Sequence, residues 1–326
     1  MTLAAAPFFE DLPGVPAGGR AHWLTTEDGV RIRLGHWRPA GPATGTVLMF
    51  PGRTEYVEKY GDCAREFTAR GFAFAAVDWR GQGLADRLLP DKRVGHVEKF
   101  TDYQHDVAAV TAAAVELDLP RPWFVIGHSM GGAIGLRAIL QGMPVAACAF
   151  TGPMWGIYFN TVMKPLSWVT AYWGSRIGLG NRIPPTTSLL SYVASQPFEN
   201  NVLTRDPEMF QMMKDQLAAQ PDLALGAPST TWLREALDEC RWLMAQTAPD
   251  LPCLTVMGSH EQIVDREAIR ARMAAWPGGD LVEIPDGEHE VLMEPPEVRG
   301  PVFDLMAALF DAGSRRHENN GTTIQA

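Results

Sequence analysis

One six-residue stretch constrains this chain more than any other: Gly127-His128-Ser129-Met130-Gly131-Gly132. The run before it, Trp123-Phe124-Val125-Ile126, is apolar and rich in strand-forming residues, as a buried strand requires. The run after it, residues 133–140, carries apolar residues at helical spacing. A serine between a strand and a helix sits on a sharp turn. Glycines two residues to either side let the backbone pass without a Cβ clash and leave the Ser129 hydroxyl exposed at the helix N-terminus. There the helix dipole and free N–H groups favour developing negative charge. A glycine-rich turn with an incidental serine fits the five-residue pattern but not this strand–turn–helix setting.

The rest of the chain supplies the matching frame. Residues 21–26 and 31–37 flank Asp28-Gly29, a strong hairpin signal. Further β-prone runs follow at 46–50, 72–77, 145–150, 254–257 and 281–284, with helical patterns between most of them, notably 56–70 and 100–117. A hairpin followed by alternating strands and helices predicts an α/β fold whose mostly parallel sheet is covered on both faces. The alternation stops at Gly152 and resumes near Pro252, an interval too long for a loop. The expected organisation is therefore a first core segment at 1–151, a helical cap at 152–250, a second core segment at 251–313, and a disordered polar tail at 314–326.

Catalysis by serine needs a base, an orienting acid and an oxyanion hole. In an open parallel sheet these sit at the carboxyl ends of strands. The base candidate is His289, just after the run 281–284 and late in the chain, as the order serine, acid, histidine requires. The acid should follow the run 254–257, where Glu261 and Asp265 both stand. Glu261 is nearer the strand end and is preferred. Asp265 is the alternative, although it also suits the N-cap of a helix beginning at 266. The oxyanion hole calls for the backbone N–H of Met130 and one from the loop Pro51-Gly52-Arg53-Thr54-Glu55, most naturally that of Arg53. Asp78 and Arg80 read as loop-tying ion-pair residues rather than as chemistry.

Net charge is −10, which argues against nucleic acid as a partner. Cys63, Cys148, Cys240 and Cys253 are far apart and form no C-x-x-C pair, so free thiols in a reducing compartment are expected. No cluster has metal-ligand spacing, and no cofactor is implied. With no signal peptide or transmembrane run recognisable, a cytoplasmic location is expected. Residues 152–198 contain no Asp or Glu but include Lys164, Arg176 and Arg182, with Trp155, Tyr158 and Trp168 among their aromatics. Those three aromatics are candidate substrate contacts in the cap. The same stretch is a candidate for peripheral membrane contact through an apolar face with a few cations. Packing over the core is the preferred explanation of the aromatics, since aromatic stripes at helical spacing are usually buried, and both readings favour a substrate with an acyl chain.

The chain resembles the α/β-hydrolase superfamily, and within it the lysophospholipase and monoacylglycerol lipase-like serine hydrolases. The resemblance is carried by residues 51–60, by Asp78-Trp79-Arg80-Gly81-Gln82-Gly83, by 127–132, by 258–265 and by Gly287-Glu288-His289. Residues 203–208 and 223–228 resemble bacterial lysophospholipase L2-type sequences. It implies an α/β-hydrolase fold with an eight-stranded sheet and an inserted cap, and release of fatty acid from monoacyl lipids through an acyl-enzyme, without a cofactor. The family usually has His where Pro51 stands and Asp where Glu261 stands. Rival readings on the same scaffold are a small-ester esterase and a proline-type aminopeptidase. A non-catalytic binding protein is the least favoured, since it has no need of the full serine, histidine and acid set.

Overall fold

The structure is a computed structural model that describes residues 3–159, 172, 178–185 and 187–323. Among these a nine-stranded sheet forms the centre, in the order β1-β2-β3-β5-β4-β6-β7-β8-β9. The strands are β1 (Ala4–Ala5), β2 (Arg20–Thr25), β3 (Arg31–Trp37), β4 (Thr46–Phe50), β5 (Ala73–Asp78), β6 (Trp123–His128), β7 (Ala147–Thr151), β8 (Cys253–Gly258) and β9 (Gly279–Ile284). From β5 onward in that order every pairing is parallel, whereas β1, β2 and β3 are antiparallel to their neighbours. Eight strands were expected. The ninth is the two-residue β1, whose alanines carry no strand signal in the sequence and which forms only by pairing with Trp23 and His22.

Alternate side chains of the central strands serve opposite faces, as the period of two demands. Val47, Met49, Phe74, Ala76, Phe124 and Ile126 pack on one side with α1 (Gly61–Ala69) and the helix that ends the fold. Leu48, Phe50, Ala75, Val77, Trp123 and Val125 pack on the other, with α2 (Tyr103–Glu116) and α3 (Met130–Leu140). Both faces are therefore dry, which is why these strands read as apolar runs rather than as alternations.

The chain leaves the sheet at Thr151 and returns at Cys253. The described part of this insertion is helical, including α4 (Pro207–Ala219) and α5 (Thr230–Ala245). Helix α5 is not a detached lid. Its Trp232, Ala236, Cys240 and Leu243 join the same core cluster as α3, and Glu239 grips the Arg137 guanidinium of α3 at 2.7 and 2.5 Å. The fold is completed by α6 (Arg266–Ala274) and α7 (Pro296–Thr323). The disordered tail expected from 314 is corrected here, because α7 runs on to Thr323. Phe310 stacks on Phe124 at 4.7 Å and Ser314 is buried, so the docked helix carries its polar extension with it.

Candidate active site

Strand β6 delivers Ser129 to the start of α3 in a backbone conformation few residues adopt, φ 50° and ψ −117°. Such strain persists only where the surroundings impose it. Here Ser129 N–H donates to the Thr151 carbonyl at 3.1 Å, and the Ser129 carbonyl accepts from Gly132 and Met154 at 2.9 and 2.8 Å. The flanking glycines are obligatory. A Cβ on Gly131 would land on the Phe50 carbonyl, and one on Gly127 would lie 2.8 Å from the Gly131 oxygen.

His289 follows β9, and its Nδ1 lies 2.5 Å from Oε2 of Glu261, which follows β8. Both are buried, at 3 % exposure. The other Glu261 oxygen accepts from the backbone N–H of Ile263 at 2.6 Å and of Val264 at 3.0 Å. Burial alone would raise the Glu261 pKa; the adjacent His289 and these two N–H donors outweigh it and hold the carboxyl below its ordinary value. Asp265, the alternative acid, is used elsewhere: it caps α6, accepting from Glu267 and Ala268 N–H at 3.0 and 3.3 Å. Gly152 was not anticipated. A Cβ there would crowd both Glu261 Oε2 and His289 Nδ1 at 3.1 Å, so this glycine lets the acid–histidine pair close over the end of β7.

The candidate oxyanion loop after β4 lies against the elbow, since Phe50 and Pro51 carbonyls occupy the space beside Gly131. Neither the Arg53 nor the Met130 backbone N–H is taken by an acceptor among the described residues. Positive φ falls on Thr54, at 72°, rather than on Gly52. Glu55 folds back and accepts from the Gly52 N–H, fixing the loop.

That carboxylate opens a buried network that the sequence did not disclose. Glu55 also accepts from Tyr60 Oη at 2.5 Å and from Lys59 Nζ at 2.5 Å, and Lys59 donates equally to Glu290. His128 Nδ1 meets Thr151, and its Nε2 faces Glu290 and Glu55 at 3.3 and 3.5 Å. The two imidazoles, His128 and His289, lie 4.7 Å apart. Burial alone would lower the His128 pKa, but the Glu290 and Glu55 carboxylates overcome it and raise it. Glu55, His128 and Glu290 bring three ligand-type atoms within 4.8 Å of one another. The Lys59 ammonium already bridges the two carboxylates, so the cluster carries its own cation. The only advance signals were adjacency, Glu290 beside His289 and His128 beside Ser129, and the i, i+4 spacing of Glu55 and Lys59. Asp78 and Arg80 do tie loops together: Asp78 pairs with Arg33 at 2.7 Å, and Arg80 with Asp106 at 2.8 Å and Asp28 at 2.7 Å.

Ser129 and His289 line one cavity of about 290 Å³, together with Arg53 and an apolar wall that includes Val193, Leu203, Met213, Leu217 and Ile263. Of the three cap aromatics, Trp155 requires correction. It is fully buried, stacks near Trp276 and donates its indole N–H to the Gly132 carbonyl at 3.2 Å, so it supports the elbow from the core and does not meet the cavity. Tyr158 is 53 % exposed and is not among the cavity-lining residues. Trp168 lies outside the described residues.

A family model described as serine aminopeptidase, S33, matches residues 41–296. The chain belongs to this family. Lysophospholipase L2 of Escherichia coli (strain K12) is 29 % identical over 317 residues, covering 92 % of this chain and 90 % of that one. Monoacylglycerol lipase of Mycolicibacterium smegmatis is 26 % identical over 287 residues, covering 84 % and 91 %. Among solved structures, a soluble variant of monoglyceride lipase from Saccharomyces cerevisiae superposes with a TM-score of 0.70 at 19 % identity, covering 89 % of this chain and 94 % of the other. The fold of this S33 family member is thus the α/β-hydrolase fold expected from the sequence. No helix among the described residues is long and apolar enough to cross a membrane.

Proposed function

We propose that this chain is a serine carboxyl-ester hydrolase that releases fatty acid from monoacyl lipids. The observation that carries the reading is the buried Glu261–His289 pair facing the same apolar-walled cavity as Ser129 on its strained elbow. In the proposed reaction Ser129 Oγ attacks the ester carbonyl while His289 Nε2 takes its proton. The imidazolium so formed keeps its Nδ1 proton on Glu261. The N–H groups of Arg53 and Met130 receive the oxyanion. Collapse of the tetrahedral adduct expels the alcohol, which takes its proton from His289. Water, deprotonated by the same ring, then releases the fatty acid.

The two curated relatives named above support the lipid reading. The cavity volume, at the lower edge of the range for small-molecule sites, suits one acyl chain. Tyr192 lines the cavity and is exposed beside Leu190, and Leu179 of the same cap stretch is exposed as well. These residues support peripheral contact with a lipid surface from the cytoplasmic side. An aminopeptidase needs a free carboxylate for the substrate amine. Glu55 and Glu290 are committed to Lys59, Asp206 caps α4 and pairs with Arg299, and Glu199 and Glu208 are exposed on the cap.

The test is fatty-acid release from a lysophospholipid and a monoacylglycerol by the native chain and by Ser129→Ala. Release that vanishes in the variant is expected. Absence of release from both lipids by the native chain would falsify the lipid reading.

A further inference from the structure

Arg53, one of the residues that line the cavity, has no carboxylate partner among the described residues. The Arg53 guanidinium has five N–H donors. Among the described residues it makes one hydrogen bond, Nη1 to the Gly226 carbonyl at 2.7 Å, and lies 5.7 Å from the centre of the Trp232 ring. No carboxylate among the described residues pairs with it. The three acids that face the site are already taken: Glu261 by His289, and Glu55 and Glu290 by Lys59. The cap residues outside the described set cannot supply one either, because residues 152–198 contain no Asp or Glu. In a chain of net charge −10 this is no general basic surface. The cost of the arrangement is visible: desolvation pulls the guanidinium pKa from 12.5 down to about 10. Lys59, buried nearby, keeps two partners, and its pKa goes up in spite of burial. Arg53 is half-buried; a cation drawn partly out of water without a carboxylate partner is costly, and a ligand anion would offset that cost.

Resting on the ester-hydrolase reading, we propose that the Arg53 side chain is a headgroup subsite for a substrate phosphate. It selects lysophospholipids over neutral monoacylglycerols. A planar fork of N–H donors matches phosphate oxygens two at a time. The position suits the substrate as well. In the proposed reaction the backbone N–H of Arg53 receives the ester oxyanion, and its side chain carries the guanidinium about as many bonds away as separate the ester carbonyl from the phosphorus of a lysophospholipid. One residue then binds both ends of the glycerol unit.

The experiment uses the full chain and its Arg53→Gln and Arg53→Lys variants on lysophosphatidylethanolamine and monoacylglycerol bearing the same acyl chain. The native enzyme should prefer the phospholipid. In Arg53→Gln the ratio of the two kcat/KM values should fall on the order of tenfold to a hundredfold, the range for a charged hydrogen bond, and Arg53→Lys should recover part of it. A ratio unchanged within about twofold, whatever the common fall in both rates, overturns the subsite. A second arm follows a small chromogenic ester with glycerol 3-phosphate as competitor, and it decides the matter even if neither lipid is cleaved or the variants fail to fold. Competition against the native enzyme supports the subsite; no competition overturns it. Inorganic phosphate competing as well as glycerol 3-phosphate would assign Arg53 to free phosphate and overturn the headgroup role.

Discussion

Replacing Glu261 with Gln changes almost no volume but reverses one hydrogen bond. Ile263 and Val264 N–H both point at Oε1, so the amide oxygen must stay there and the amide nitrogen must turn toward His289 Nδ1. A donor facing Nδ1 makes that nitrogen an acceptor and places the neutral ring's proton on Nε2. The ring can then no longer take the Ser129 proton. In a Ser-His-Asp protease the same tautomer trap costs roughly 10⁴ in kcat, equivalent to about 5 kcal/mol of barrier. We expect a loss of that order for Glu261→Gln, measured by steady-state fatty-acid release on protein whose cooperative thermal unfolding is intact. Asp265→Ala is the control. It removes a helix cap worth about 1 kcal/mol and should change kcat by no more than about threefold, since that amount of stability leaves the native fold populated. If Glu261→Gln keeps more than about a tenth of native kcat, or if Asp265→Ala abolishes turnover, the assignment of the acid is wrong.

Two further perturbations probe the buried charges. Lys59→Met leaves Glu55 and Glu290, each 5 % exposed, without their shared cation, and should destabilise by about 3–5 kcal/mol in urea unfolding; a loss under about 1 kcal/mol would mean that the network is solvated. His36 is held down from 6.5 to about 4 by burial, with the neighbouring His22, Arg38 and Arg20 adding to the effect. Its folded pKa is depressed, so the unfolded chain binds the extra proton first. Stability should fall as pH drops from 6.5 toward 4, by about 3 kcal/mol from this group. His36→Phe should flatten that slope, and an unchanged slope would assign the acid sensitivity elsewhere.

The frame of the site was legible because its determinants are local. The β3 and β4 boundaries match the apolar runs residue for residue, and Glu261 could be preferred because it stands close behind a readable strand. What escaped is non-local. Lys59 and Glu290 are 231 residues apart, and nothing in either neighbourhood says that they touch. Trp155 misled for a related reason: an aromatic just beyond the strand that precedes the insertion reads as the start of a lid, whereas its indole turns back beneath the elbow to a partner 23 residues earlier. The length of α7 was hidden by its polar end, since docking through Phe303, Met306 and Phe310 is a tertiary fact.

The strand order has a consequence for when activity can arise. The candidate serine stands on β6, but its acid and base follow β8 and β9, the last strands to leave the ribosome. They reach the serine only after β7 and β8 have paired across an insertion of about a hundred residues, a slow, long-range step. A chain halted or cut before Glu261 carries the serine without its proton acceptor. Under the proposed mechanism, chemistry thereby becomes the final product of folding, and a half-made chain cannot cleave an ester by this route.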